Sequence, residues 1–213
     1  RQELDDVIAS LQDNLSLPSD AFGRYDGVYS GNISQWLKFA NSLKLRMAMR
    51  LTEVKPDLAK SKAAEAIAAG VITTNADNAM MHTSDNRTTL IYNDWGDHRI
   101  GADIINYMNG YNDPRREKMF QPATITGGGF HGVVNGLGST EQKFYTKMSA
   151  PNIFGETPMR WLLASEVAFL KAEFKLLKGD KSGAKSDYEE GIRLSFLENG
   201  LSASDAADYA QSM

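Results

Sequence analysis

The sequence contains no cysteine, and this absence narrows the chemistry open to the protein. Without a thiol among its 213 residues, the chain has no disulfide, no thiolate metal site and no cysteine nucleophile. The same absence does not identify the redox compartment in which the protein works.

An excess of positive charge and a long apolar run are also missing. The net charge is −4 and the pI is near 5.4. Both values argue against a nucleic-acid partner, because phosphate binding requires a basic face. No apolar run approaches the roughly 20 residues that a membrane-spanning helix needs.

The composition suits one globular domain over residues 1–213. With 42% hydrophobic residues, a chain of this length can bury a sizeable core. It begins with the polar run RQELDD, and we expect that start to result from processing or trimming.

The stretch from Gln35 to Leu51 predicts the helix around which the rest of the fold is organised. At about 100° per residue, one face collects apolar side chains at helical spacing: Trp36, Phe39, Ala40, Leu43, Met47 and Leu51. Other apolar residues fall on the remaining sides, which indicates a helix covered nearly all round. Ser34 is a plausible N-cap for it.

The remaining patterns predict a mainly α fold with long irregular loops. Helical spacing, helix-breaking glycines and Pro56 place helices at 2–15, 57–69, 98–109, 158–177 and 182–199. Residues 71–73 suggest a short strand, and residues 110–157 carry few periodic signals. The last two helices form a hairpin with small residues at the crossing, as in a tetratricopeptide unit. Trp36 and Trp161 lie in helical patterns and are expected in the core.

Charged residues on apolar helix faces predict an ion pair between two helices. Lys44 and Arg50 lie in or beside the apolar face of the central helix, and Glu166 and Glu173 lie on that of residues 158–177. Because an unpaired buried charge costs several kcal/mol, we expect one of these glutamates to pair with one of these cations, arginine being favoured. The alternative is that all four head groups reach solvent on their long stems, or that they pair with other residues.

Catalytic and metal-binding patterns are absent from the sequence, so we expect a binding protein and no enzyme. It has no HExxH, GxSxG or GxxxxGK[ST] motif, and none of its three histidines has a second histidine at i+3 or i+4. Asp94 and Asp97 alone do not make a calcium site, and turn or capping roles suit them better. We therefore expect no cofactor and no metal.

The mixture of side chains in residues 92–99 suggests a ligand site. Saccharides present apolar C–H faces ringed by hydroxyls, and aromatic rings beside planar polar groups suit them. The candidate ligand-binding residues are Tyr92, Asn93, Asp94, Trp95, His98 and Arg99. Alternatively, the two aromatic residues only anchor the loop to the helices. A weaker second cluster consists of Phe130, His131, Asn152 and Phe154.

Four blocks in this order resemble the SusD/RagB family of Bacteroidetes. They are GNISQWLKFANSLKLRMAMRL at 31–51, GVITTNADNA at 70–79, RWLLASEVAFLKAE at 160–173 and YEEGIRLSF at 188–196. The resemblance implies a fragment of a larger SusD-like helical protein, since members are usually more than twice this length. It also implies a lipid-anchored, cell-surface glycan-binding protein of the outer membrane that delivers its ligand to a TonB-dependent, SusC-like transporter.

A helical-repeat module that binds a protein or peptide, and no sugar, is the alternative function. Glycan binding predicts exposed aromatic rings on a concave loop surface, whereas a protein-binding module predicts a broad apolar patch on the helices.

Overall fold

The computed structural model describes residues 2–18, 22–136 and 141–212, and it is mainly helical, as the sequence predicted. In chain order the α-helices are α1 (Gln2–Asp13), α2 (Ile33–Met49), α3 (Pro56–Ala69), α4 (Ala102–Gly110), α5 (Arg116–Met119), α6 (Gln142–Tyr145), α7 (Ala164–Leu177), α8 (Lys181–Glu198) and α9 (Ala203–Ser212). The strands are β1 (Ala79–Met81), β2 (Phe120–Gln121), β3 (Ala150–Pro151) and β4 (Met159–Leu162). Short 3-10 turns cover Gly23–Tyr25 and Asn75–Asp77, and a π-helical turn covers Leu90–Asp94.

The chain forms two compact units. The first unit comprises Arg1–His82 and Met159–Glu198, and the second comprises Thr83–Pro158 and Asn199–Met213. The expectation of a single domain over residues 1–213 stays a prediction.

In the first unit, α2 is the central element and packs against α1, α3, α7 and β4. It begins two residues earlier than predicted, because Asn32, and not Ser34, is the N-cap: the Asn32 side chain accepts a 3.1 Å hydrogen bond from the Gln35 N–H. Its most buried apolar residues are Ala40, Leu45, Ala48 and Met49, whereas Met47 is 42% exposed. The buried face is thus rotated from the predicted one.

Polar side chains of α2 are satisfied by α3 and the segment that follows it. Asn41 donates to the carbonyl oxygens of Ala69 and Gly70, at 3.3 and 3.0 Å. The Ser42 hydroxyl accepts a 2.8 Å bond from the Ile72 N–H. The prediction of a strand at residues 71–73 is therefore wrong: Ile72 gives its N–H to a side chain, and the strand lies later, at β1.

Lys44 and Arg50 do not form the predicted ion pair with the glutamates of α7. Lys44 binds Asp5 of α1 at 2.7 Å and Glu65 of α3, and Arg50 is exposed. The prediction that Lys44 or Arg50 pairs with Glu166 or Glu173 is therefore wrong.

An ion pair of Arg46 joins α2 to α7. Its Nε and Nη2 donate to the two carboxylate oxygens of Glu166 at 2.6 and 2.7 Å, and Nη2 also donates to the Trp161 carbonyl at 3.0 Å. Such a two-point contact fixes both the distance and the orientation of the helices.

Helix α7 starts later than predicted, because residues 159–162 form strand β4. Strand β4 pairs antiparallel with β1, with Ala79 opposite Leu162 and Met81 opposite Met159. The Asn78 side chain accepts a 2.7 Å bond from the Ala164 N–H, so a residue distant in sequence caps the helix. Trp161 consequently lies on a strand and is 42% exposed, which corrects its predicted place in the core.

The hairpin of α7 and α8 is confirmed, with the turn at Gly179 and Asp180. Close approach at the crossing requires Gly191, since a Cβ there would lie 2.6 Å from the Phe169 ring. Asp187 of α8 accepts a 3.0 Å hydrogen bond from Lys171 of α7 and forms a 2.7 Å ion pair with Lys175 of the same helix.

In the second unit, α4 packs one face onto a small apolar cluster. Ile105, Met108 and Phe120 form its buried part. Strand β2 pairs with β3, Phe120 lying opposite Pro151, so even the irregular region between residues 110 and 157 has defined anchors. Gly132 allows another close contact, since a Cβ there would meet Ala102 Cα at 2.5 Å.

Truncating Leu45 tests whether α2 is the core of the first unit. Leu45 is fully buried, so we expect Leu45→Ala to lower the free energy of unfolding by about 2–5 kcal/mol. Met47→Ala removes a similar side chain from the exposed side of the same helix and should cost less than about 1 kcal/mol. Urea denaturation followed by circular dichroism measures both, and equal midpoints for the two variants would contradict the packing described.

A double-mutant cycle tests the Arg46–Glu166 contact. Both side chains are partly exposed, at 27% and 40%, so we expect Arg46→Met and Glu166→Gln to show a coupling of about 1 kcal/mol. The pair Arg193–Glu190 lies within α8 and is also bidentate, and it serves as a control with an expected coupling of about 0.3–0.5 kcal/mol. A coupling no larger than that of the control would contradict a role in joining the helices.

Candidate functional site

The segment that the sequence singled out lies in the second unit, on and after the π-helical turn. Tyr92 lies inside that turn and is 3% exposed, whereas the Trp95 side chain is 57% exposed. Burial raises the pKa of Tyr92, which keeps its hydroxyl neutral. Tyr92 therefore supports the segment from within, and Trp95 is presented to solvent.

Arg99 holds this segment together through backbone carbonyl oxygens. Its Nε donates to Thr146 at 3.0 Å, and its Nη1 donates to Tyr92 at 3.1 Å and to His98 at 2.6 Å. With its guanidinium so engaged, Arg99 acts in this structure as a positioning residue.

Helix α6 fixes the backbone beneath the exposed tryptophan. The Gln142 side chain donates to the Trp95 carbonyl at 2.8 Å. The side chains of Asn93, Asp94 and His98 are exposed beside Trp95 in sequence. Of the six predicted residues, the structure thus offers these three and Trp95 to a ligand, and their binding role stays a prediction.

The second predicted cluster is divided between interior and surface. Phe130 packs against the α4 cluster, with the Arg116 guanidinium 4.8 Å from its ring centroid. Asn152 donates to the Lys118 carbonyl at 3.0 Å, while Phe154 is 59% exposed and His131 is exposed. Phe130 and Asn152 therefore already have structural contacts, and only two members of the cluster face solvent.

Tyr107 of α4 and Tyr111, the C-cap residue of that helix, form an aromatic surface that the sequence analysis missed. Tyr107 and Tyr111 are 68% and 51% exposed, and their rings are parallel within 9°, with centroids 6.5 Å apart. A concavity of about 390 Å³ adjoins them, and its lining residues are Asp103, Asn106, Tyr107, Gly110 and Tyr111. The i, i+4 spacing of the tyrosines was the available signal, but the apolar residues of this helix indicate only its buried face.

The end of α4 beneath Tyr111 is fixed by a buried ion pair. Asp113 is 3% exposed, its N–H donates to the Met108 carbonyl at 2.8 Å, and its Oδ1 accepts from the Arg115 Nε at 2.9 Å. The Arg115 guanidinium also lies over the Tyr209 ring of α9, 5.4 Å from the centroid. Burial alone would raise the pKa of Asp113, but the hydrogen bonds and charge of Arg115 outweigh it and hold the pKa below the ordinary 3.8.

The first unit has a different kind of concavity, between α1, α2 and α3. It has a volume of about 310 Å³ and is lined mainly by aliphatic side chains and stems: Leu4, Asp5, Lys44, Met47, Ala48, Arg50, Leu51, Leu58 and Lys62. Apolar surface on helices is the feature expected of a protein-binding module.

Among residues 2–18, 22–136 and 141–212, no group of three or more His, Asp or Glu side chains is placed to hold a metal ion. No helix in the same ranges combines the length and hydropathy needed to cross a bilayer.

Comparison with known families and structures gives one consistent result. The family model described as Susd and RagB outer membrane lipoprotein matches residues 1–213. No curated protein matches the chain significantly.

Solved structures of SusD homologues share this fold. One from Bacteroides thetaiotaomicron is 44% identical with a TM-score of 0.91, covering 98% of this chain and 44% of its own. One from Bacteroides ovatus is 37% identical with a TM-score of 0.88, covering 99% of this chain and 45% of its own. A chitin-binding SusD homologue from Flavobacterium johnsoniae is 33% identical with a TM-score of 0.88, covering 98% of this chain and 44% of its own. The chain therefore spans less than half the length of these proteins.

The Asp113–Arg115 pair predicts a pH-dependent stability of the second unit. Asp113→Asn leaves Arg115 without its carboxylate, and we expect a loss of about 3–5 kcal/mol in the free energy of unfolding at neutral pH. Because the folded-state pKa of Asp113 is lowered, this contribution is complete well above pH 3.8 and is lost as the pH falls below 3.8 through the folded-state pKa.

The measurement is urea denaturation of wild type and variant at a series of pH values. The stability gap between them should narrow at acidic pH. Asp208→Asn, on the exposed side of α9, is the control and should change the free energy of unfolding at neutral pH by less than about 0.5 kcal/mol. A gap for Asp113→Asn that is constant with pH would contradict the assignment.

Proposed function

The chain belongs to the SusD/RagB family of outer-membrane lipoproteins, and on that premise we propose that it binds glycans or oligosaccharides at the cell surface. Members of this family are binding proteins rather than enzymes, and a relative that is 33% identical is described as chitin-binding. We further propose that the protein passes its ligand to a TonB-dependent, SusC-like outer-membrane transporter. That second step rests on family membership alone.

The observation that carries saccharide binding is a set of exposed aromatic rings on the second unit. Trp95 is 57% exposed on a backbone held by Gln142 and Arg99. Exposing large rings is unfavourable in water, and rings on a fixed backbone give a flat surface to the C–H face of a sugar. The neighbouring amide, carboxylate and imidazole groups of residues 93, 94 and 98 offer partners to the sugar hydroxyls.

A protein-binding module remains the second function, because the first unit also exposes apolar side chains on helices. Val7 on α1 is 50% exposed, Met47 on α2 is 42% exposed and Leu176 on α7 is 59% exposed. Together with the concavity between α1, α2 and α3, they give this unit the kind of surface that binds helices or peptides.

Replacing Trp95 tests the proposal directly. We expect Trp95→Ala to weaken saccharide binding by about tenfold and to leave the circular dichroism spectrum unchanged, because an exposed stacking ring is removed and no core contact is lost. The probes are starch, xylan, glucomannan and N-acetylglucosamine oligomers, with affinity electrophoresis as the screen and calorimetry as the measurement.

Trp161→Ala is the matched control, since it removes an equally large, 42% exposed ring from the other unit. It should leave saccharide affinity unchanged. Equal affinities of Trp95→Ala and wild type would place the site elsewhere in the protein. A wild-type protein that binds none of the saccharides would overturn the glycan proposal in favour of the protein-binding one.

A further inference from the structure

We propose that the surface formed by Tyr107 of α4 and Tyr111 at its C-cap is a second saccharide-binding surface, with a preference for neutral sugars. The inference rests on the proposed function, and it adds a site made of residues other than those around Trp95. It follows from the orientation of the two rings, the polar groups beside them, the rigidity of the helix and the charge of the surface.

The orientation of the rings suits stacking. Aromatic side chains in contact often meet edge to face, as Tyr29 and Trp36 do in the first unit at 90°. Tyr107 and Tyr111 instead lie within 9° of parallel, with centroids 6.5 Å apart, and both are more than half exposed. Their ring faces therefore have the same orientation.

Polar groups adjoin the rings in the same concavity. Asp103 and Asn106 lie four and one residues before Tyr107, are exposed, and line the concavity of about 390 Å³ with the tyrosines. A carboxylate accepts hydrogen bonds from sugar hydroxyls, and an amide both donates and accepts. Aromatic faces beside such groups are the combination that saccharides need.

The opposite side of α4 is held in place, so the surface is formed before a ligand arrives. Ile105 is fully buried and packs with Met108 on Phe120. Asn109 donates to the Phe130 carbonyl at 3.1 Å and accepts from Arg116 at 2.7 Å. A preformed surface binds without the entropy loss of ordering its own side chains and backbone.

The charge of the surface distinguishes between ligand classes. The described residues that line it include one carboxylate, at Asp103, and no cation, so an acidic polysaccharide would be repelled. Proline-rich peptides also bind aromatic surfaces, but proline has no backbone N–H to give to a carboxylate. The hydroxyls of a neutral saccharide can donate to it, and we therefore favour that class.

Fluorine NMR of protein labelled with 3-fluorotyrosine tests contact at this surface. The chain has eight tyrosines, and the signals of Tyr107, Tyr111 and Tyr25 are assigned from single Tyr→Phe variants. The titrants are the tightest-binding saccharide of the panel used for Trp95 and, separately, a polyproline peptide. We expect the saccharide to shift the Tyr107 and Tyr111 signals saturably, both in wild type and in Trp95→Ala.

One substitution and one internal control sharpen the test. Asp103→Ala removes the hydrogen-bond acceptor beside the rings. The saccharide affinity obtained from the saturation of these shifts should therefore fall by about tenfold. Tyr25, which is 76% exposed in the first unit, should not shift and serves as the internal control.

The outcomes separate this proposal from the one on which it rests. If the saccharide binds wild type and Trp95→Ala weakens that binding, but Tyr107 and Tyr111 do not shift, the second surface is overturned and the proposed function stands. If only the peptide shifts the two signals, the surface is a peptide site and the saccharide assignment is wrong. If no saccharide binds the wild type, both proposals fail.

Discussion

Burial of helix α2 on several sides is the constraint on which the first unit depends. Polar groups removed from water need partners, and α2 carries such groups along most of its length. Asn41 and Ser42 bond to backbone groups at and after the end of α3. Lys44 forms ion pairs with carboxylates of α1 and α3, and Arg46 forms one with Glu166 of α7. One helix thus sets the positions of its neighbours through directional contacts as well as through apolar packing.

The second unit depends on a different constraint. It has less regular structure than the first unit, and its exposed rings must still be held in place. It does so by bonding side chains to backbone. Arg99 and Gln142 bond to carbonyl groups around Trp95, and Asp113 with Arg115 fixes the chain just after Tyr111. Exposed aromatic side chains on anchored backbone are what both saccharide proposals share, and anchoring rather than helix content makes such surfaces selective.

Local patterns in the sequence predicted which elements form. Helical spacing of apolar residues, Pro56 at the start of α3 and glycines after helices placed most of the long helices to within a few residues. The four sequence blocks led to the family, which the family model over residues 1–213 and the solved structures confirm. These features depend on neighbours in the chain, so the sequence alone determined them.

What the sequence left undecided depends on residues distant in the chain. The start of α7 is set by the Asn78 side chain, and the partner of Glu166 is set by the angle at which α2 and α7 cross. In the same way, Tyr92 could be named as a site residue from its neighbours, but only the packed structure places it inside and leaves Tyr107 and Tyr111 parallel on the surface. The periodicity of the sequence determines that a helix has an apolar and a polar face. The tertiary packing decides which face contacts another element and which is exposed to water.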